Sequence, residues 1–166
     1  MELLKVNGHL NKRNLALSIL IPVIGGSISG WIANKNAQEK YKKLQQPPFS
    51  PPGIVFPIVW TALYTTMGVA KYRVDQKTKS TEKDSSPAIP LYDLQLGLNF
   101  LWSFLFFRWG LRGTALVEIS LMLACIALTA YEFQQVDKTA GALMIPYVGW
   151  VAFALGLNYA VWKLNK

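Results

Sequence analysis

Long uncharged stretches alternate with short charged blocks along this chain. No charged residue lies between Arg13 and Lys35, a gap of 21 residues. Another 27 separate Lys43 from Lys71, and 24 separate Lys138 from Lys163. A helix rises about 1.5 Å per residue, so ~20 apolar residues cross a hydrocarbon core of ~30 Å. The three stretches meet that length. Two further apolar runs fill the intervals, one carrying Asp93 near its start and one carrying Glu118 about a turn in. The pattern predicts five transmembrane helices, over residues 15–33, 53–72, 89–107, 114–133 and 140–162. The fold class is therefore an all-α integral membrane protein, a five-helix bundle forming a single domain over residues 1–166. None of the runs alternates with period two, which argues against a membrane β-barrel.

The connections differ in character. Residues 34–52 contain four lysines and then Gln45-Gln46-Pro47-Pro48-Phe49-Ser50-Pro51-Pro52. Four prolines within six residues exclude helix interior, so this segment is read as a stiff, extended lid feeding into the second span. Pro57 is expected to kink that span. Residues 73–87 are charged and rich in Ser, Thr and Lys, and read as a mobile loop. In the first span, Gly26 and Gly30 form a small-xxx-small pair that permits close helix approach.

Composition sharpens the membrane reading. Hydrophobic residues make up 52% of the chain and charged residues only 16%, against about 25% in soluble domains. A soluble all-α protein would have to build its surface from 17 Lys and Arg and 9 Asp and Glu, nearly all outside the helices. The formal charge of +8 does not indicate nucleic acid, because the basic residues flank hydrophobic spans, where lipid headgroups attract them. Orientation stays open. Lys5, Lys12, Arg13, Lys71, Arg73, Lys77, Lys79, Lys83 and Lys138 fall on one side, nine in all; Lys35, Lys40, Lys42, Lys43, Arg108, Arg112, Lys163 and Lys166 make eight on the other. The polar, basic first 14 residues and the length of the run from Leu15 read as a retained first helix rather than a cleaved signal.

Candidate chemistry lies inside the spans. Gln95, Asn99, Trp102 and Phe106 share one face of the third helix, and Tyr147, Trp150, Ala154 and Asn158 share one face of the fifth. Buried amides read either as glue between helices or as the polar anchors of an aromatic pocket. Of six tryptophans, Trp31, Trp109 and Trp162 fall near span ends, where indoles sit at the interface. Trp60, Trp102 and Trp150 fall deeper, and three deep indoles on different helices suit a flat aromatic ligand. A metal or haem-iron site is not expected, since the only histidine, His9, lies in the N-terminal tail. The single cysteine, Cys125, forms no internal disulfide. Glu118 is expected near the headgroups or paired with Arg112. Leu157, Tyr159 and Lys163 fit a sterol-contact pattern that many membrane helix ends also fit.

These residues are similar to the TspO/translocator protein family of tryptophan-rich sensory proteins, related to the peripheral benzodiazepine receptor. The resemblance rests on Leu44-Gln45-Gln46-Pro47-Pro48-Phe49-Ser50-Pro51-Pro52, then Phe56-Pro57-Ile58-Val59-Trp60-Thr61-Ala62-Leu63-Tyr64. Gln95-Leu96-Gly97-Leu98-Asn99-Phe100-Leu101-Trp102 and Phe106-Phe107 support it, as do Pro146-Tyr147, Trp150, Phe153 and Leu157-Asn158-Tyr159-Ala160-Val161-Trp162. It spans Leu15 to the C-terminus.

The resemblance implies a pocket under the first loop that binds porphyrins such as protoporphyrin IX. Sterol and synthetic benzodiazepine-receptor ligands are further implied ligands, and a homodimer is implied. The implied ligand-binding residues are Trp60, Tyr64, Asn99, Trp102, Tyr147, Trp150 and Asn158, beneath lid residues Tyr41, Pro47, Phe49 and Pro51. If a member degrades protoporphyrin IX in light and oxygen, Trp60 and Trp150 are the implied participating pair. No cofactor is required, and no acid–base set for ordinary catalysis is present. Lys40, Lys42 and Lys43 are placed to meet the anionic propionates. The sequence departs from the family with Lys40-Tyr41 in place of Trp-Tyr, and with Pro48 and Phe49 in place of Ser and Trp, so two lid indoles are absent. The expected location is a bacterial plasma membrane, with the mitochondrial outer membrane as the alternative.

Overall fold

The structure, a computed structural model, describes residues 2–35, 37–81 and 87–166. Six α-helices follow in order: α1 (Lys12–Asn34), α2 (Ala37–Lys42), α3 (Val55–Thr81), α4 (Ala88–Ser103), α5 (Arg112–Val136) and α6 (Lys138–Leu164). Five are long and one, α2, is short. α4 runs on into a π-helical turn, Phe104–Arg108. The five long helices form the bundle expected of a multi-pass membrane protein. Their outward faces carry apolar side chains, such as Ile21, Ile58, Leu121 and Ile145, each at least 60% exposed. In lipid these are the solvated positions.

α5 and α6 pack against each other most extensively, α1 lies against α3 and α4, and α3 also meets α6. Small residues set the closest approach. A Cβ added to Gly68 of α3 would lie 2.5 Å from the Ser18 carbonyl oxygen and 2.7 Å from Ile19 Cα of α1. Only hydrogen fits between those backbones. Of the small pair in α1, Gly26 lies under the Tyr64 ring of α3, whereas Gly30 has open space beside it.

Two expectations about α3 are corrected. The helix does not stop near residue 72 but continues to Thr81. At 27 residues it is about 40 Å long, and so overhangs the hydrocarbon core. The expected mobile loop from residue 73 is therefore helix as far as 81, and residues 82–86 lie outside the described residues. The reason is packing. Tyr72 and Val74 are fully buried, and the Arg73 guanidinium donates to both carboxylate oxygens of Asp137, at 3.1 and 2.9 Å. Arg73 also donates to the Leu3 and Lys5 carbonyls, tying down the N-terminal segment. Lys77 adds a third cationic contact to Asp137 at 3.3 Å. Pro57 kinks nothing, because it falls in the first turn of α3, where its missing N–H interrupts no bond.

The segment over residues 34–52 is also less uniform than expected. It begins with α2, and only residues 43–54 form the extended strap. The strap is pinned to the end of α6. Gln45 N–H donates to Asn165 Oδ1 at 2.9 Å, and Asn165 Nδ2 donates back to the Gln45 carbonyl at 2.9 Å. The Arg73–Asp137 clasp and this strap therefore occupy opposite ends of the bundle.

Candidate functional site

Helix α3 presents Phe56, Trp60 and Tyr64 at i, i+4 and i+8, one stripe facing α6. Helix α6 answers with Tyr147, Trp150 and Phe153. The Trp60 ring stacks on Tyr64 at 5.6 Å between centroids, and meets Tyr147 edge-on at 6.2 Å and Trp150 edge-on at 6.5 Å. Phe56 and Phe153 flank Trp150 at 6.1 and 5.3 Å. From the strap, Phe49 closes on Phe153 at 6.4 Å, while Pro47 is buried and the Ser50 N–H returns to the Pro47 carbonyl in a turn. Edge-to-face and offset pairs of this kind bring the positive ring edge onto a negative face.

Beneath the rings runs a directed chain of hydrogen bonds. The Tyr64 hydroxyl donates to Asn99 Oδ1 at 2.5 Å, Asn99 Nδ2 donates to Tyr147 Oη at 2.9 Å, and the Tyr147 hydroxyl donates to Gln95 Oε1 at 2.7 Å. All four side chains are buried. The chain joins α3, α4 and α6, and each bond polarises the next in the low-dielectric interior.

Not every polar group is satisfied. Among the described residues, Trp150 Nε1 and Gln95 Nε2 are buried donors without a partner. An unpaired buried donor costs about 1–3 kcal/mol, so a ligand that supplies an acceptor recovers that cost. Asn99, the expected polar anchor, is already committed through both ends of its amide. Gln95 carries the unused donor instead. Its position four residues before Asn99 on one helical face was the available signal. Phe56 and Phe153 were also readable, at helical spacing from Trp60 and Trp150.

The structure thus brings together Trp60, Tyr64, Asn99, Tyr147 and Trp150. Trp102 and Asn158 pair with each other a short way off. The Trp102 Nε1–H donates to Asn158 Oδ1 at 3.1 Å, and Asn158 Nδ2 donates to the Arg112 carbonyl at 3.1 Å. Trp102 stacks on Phe106 at 5.1 Å, and Phe107 abuts both rings. The wide π turn allows this, because it rotates the consecutive residues Phe106 and Phe107 toward the same indole. Lid residue Tyr41, on α2, rests on this cluster, 5.8 Å from Phe107. Pro51 lies in the strap just before α3. Lys42 and Lys43 are exposed at this end, and the Lys40 side chain lies outside the described residues.

Two further expectations change. Glu118 is buried on α5 rather than placed at the headgroups, and neither of its oxygens has a hydrogen-bond partner among the described residues. The expected pair with Arg112 does not form. The sterol-like pattern is split between faces. Leu157 turns into the core, while Tyr159 is 47% exposed with the Lys163 ammonium 6.0 Å over its ring.

A five-helix bundle with a proline strap over an aromatic cluster and buried amides below defines a class of multi-pass helical membrane protein. Residues 18–163 match the TspO/MBR family, and the chain belongs to it. It is similar to the translocator protein of Bos taurus, at 35% identity over 147 residues, covering 89% of this chain and 87% of the other. It is 39% identical over 127 residues to the tryptophan-rich sensory protein of Cereibacter sphaeroides, covering 76% and 77%. The tryptophan-rich protein TspO of Chlorobaculum tepidum is 35% identical over 158 residues, covering 94% and 99%.

Proposed function

We propose that this membrane protein binds a flat, anionic tetrapyrrole, protoporphyrin IX being the test ligand, between the Trp60 and Trp150 indoles beneath the strap. The observation that carries the reading is the Trp60–Trp150 contact with the Trp150 N–H left buried and without a partner among the described residues. Two indole faces give a macrocycle broad apolar contact, and the spare donors at Trp150 and Gln95 give its polar edge a partner. The rings fill the site against one another, so a ligand enters by parting them and lifting Phe49. The exposed Lys42 and Lys43 favour approach of propionates.

A second reading is oxidation of the bound porphyrin by oxygen under light. It draws on the same pair of indoles, which would hold the photoexcited ring in place while oxygen, the electron acceptor, oxidises it.

The test is titration of the purified chain with protoporphyrin IX in the dark, followed by tryptophan quenching, with Trp60→Phe and Trp150→Phe alongside. Saturable binding weakened several-fold by Trp150→Phe is the expected result. Binding that is unchanged in both variants removes the aromatic site as the receptor. Illumination separates the second reading: porphyrin bands that bleach in the wild type and persist in the variants favour oxidation.

A further inference from the structure

The strap over residues 43–54 has few groups able to fasten it. Pro47, Pro48, Pro51 and Pro52 carry no N–H and fix their own φ, so the strap moves as stiff arms rather than as a soft loop. Freedom is left at residues 43–46 on one side and at Gly53 and Ile54 on the other, and Gly53 has open space beside it. Most of the hydrogen bonds here are local. The Leu44 N–H and Gln46 Nε2 donate to the Tyr41 carbonyl, the Ser50 hydroxyl donates to Gln46 Oε1, and the Val55 N–H returns to the Pro52 carbonyl. Buried Pro47 and the Phe49 ring add apolar contact, which is non-directional and sets no register by itself.

Among the described residues, the hydrogen bonds that join the strap to any helix other than α2 and α3, which it connects, are the two between the Gln45 main chain and the Asn165 side chain. The Asn165 amide is aimed from the end of α6. Its Nδ2 also donates to the Val161 carbonyl at 2.7 Å, and its main-chain N–H donates to the Trp162 carbonyl at 3.3 Å. Oδ1 and both Nδ2 hydrogens are thereby used. Turned over, the amide would set its oxygen against two carbonyls. The helix end itself is braced. A Cβ on Gly113 of α5 would lie 3.2 Å from Trp162 Nε1, and the Lys166 ammonium lies 4.2 Å over the Trp162 ring. Helix α6 also carries Tyr147, Trp150 and Phe153. One helix thus holds a wall of the aromatic site and the fastening of its cover.

We propose that Asn165 is a positioning residue for the ligand site, a latch that grips the Gln45 peptide and governs how readily the strap lifts from the aromatic cluster. The inference rests on the reading that the ligand binds beneath the strap. The latch holds main chain and not side chain, so it fixes the register of the strap whatever residue stands at position 45. With Gln45 held, the stiff Pro47-Pro48 arm delivers Phe49 to Phe153. With the latch undone, the strap swings about Gly53 and Ile54, Phe49 leaves Phe153, and the Trp150 face is uncovered. Asn165 touches no ligand and acts only through the strap. It therefore changes the rates of entry and exit together and leaves the affinity of the site alone.

Two readouts test the latch, one without ligand. Spin labels at Ser50→Cys on the strap and Thr114→Cys on α5, in a Cys125→Ser background, report the strap position of the full chain in nanodiscs by double electron–electron resonance. Asn165→Ala is expected to add a longer-distance population. Asn165→Asp keeps an acceptor for the Gln45 N–H but turns a carboxylate oxygen toward the Gln45 and Val161 carbonyls, and is expected to open the strap at least as far. Gln45→Ala keeps both gripped main-chain groups and is expected to match the labelled parent. The second readout is stopped-flow tryptophan quenching by protoporphyrin IX in the unlabelled proteins. Asn165→Ala loses two neutral hydrogen bonds, so association and release both quicken on the order of tenfold while Kd stays nearly unchanged. Distances unchanged in both Asn165 variants, or shifted equally in Gln45→Ala, overturn the latch. So does release that quickens alone with Kd raised to match, which would place Asn165 in the site itself. Distances that shift as expected in a chain that binds no protoporphyrin IX support the latch and remove the porphyrin reading instead.

Discussion

Tyr64 of α3 donates to Asn99 of α4 at 2.5 Å, and that one bond ties the aromatic stripe of α3 to the amides of α4. Asn99 holds a second tyrosine through its other end, so it is the hub of the network. Single hydrogen bonds between transmembrane helices contribute about 0.6 kcal/mol on average. Asn99→Leu breaks two bonds of the chain, leaving the Tyr64 hydroxyl without its acceptor, and is expected to cost more, about 1–3 kcal/mol. Tyr64→Phe breaks only one of them, a smaller loss. Thermal unfolding in detergent, read by tryptophan fluorescence, gives the order. Asn99→Leu melting with or above Tyr64→Phe refutes the hub.

Gly68→Ala places a methyl carbon against the Ser18 carbonyl and the α1 backbone. Backbone cannot rotate aside as a side chain does, and overpacking of this kind costs about 1–3 kcal/mol. Gly30→Ala has open space and is expected to be neutral. Yield and melting temperature of the two variants, measured side by side, test the difference.

The Asp137 carboxyl sits at the α5–α6 turn. Burial alone would raise its pKa. The hydrogen bond from Arg73, the Ala140 N–H, the Arg73 charge and the bond from Lys77 outweigh burial and hold it below its ordinary value of 3.8. A carboxyl with a depressed folded-state pKa contributes stability above its unfolded value. That contribution is lost as pH falls through the folded one. The wild type is therefore expected to lose stability below about pH 4. Asp137→Asn keeps an oxygen for the Ala140 cap but not the charge, and its stability changes less over that window. Melting temperature against pH for the two proteins decides it, and equal slopes count against the clasp.

Phe49 is 54% exposed and, among the described residues, its ring meets the site at Phe153. Phe49→Ala is expected to leave the melting temperature nearly unchanged while speeding both association and release of protoporphyrin IX. Stopped-flow quenching measures both rates. Release unchanged from wild type would mean that Phe49 does not gate the site.

The bundle was legible because lipid imposes a length on each apolar run, and the gaps between charges report that length directly. What lay beyond the hydrocarbon was not. Arg73, Asp75 and Lys77 look like loop in a hydropathy reading, yet the α3 helix continues through them because Tyr72 and Val74 are buried and Arg73 meets Asp137. That partner is 64 residues away in sequence. The site residues were readable as faces, since Gln95 with Asn99 and Tyr147 with Trp150 recur at helical spacing. Which amide is committed and which donor stays free depends on side-chain geometry between helices, and no spacing rule carries that. Glu118 was misjudged for a related reason. A carboxylate one turn into a span reads as interfacial, and its burial here follows from the rotation of α5.

The ionic clasp and the strap give the molecule two unlike ends. Arg73 binds α3, the α5–α6 turn and the N-terminal segment into one knot, while the opposite end is closed by a proline strap resting on ring contacts and the paired bonds of Gln45 and Asn165. The first end is held by charge-assisted bonds to a buried carboxylate, the second by ring contacts and two neutral hydrogen bonds, so the second is expected to open at lower cost. For a ligand bound under the strap, as proposed, the strap end is then the way in and out, and a straight passage through the other end would require undoing the knot.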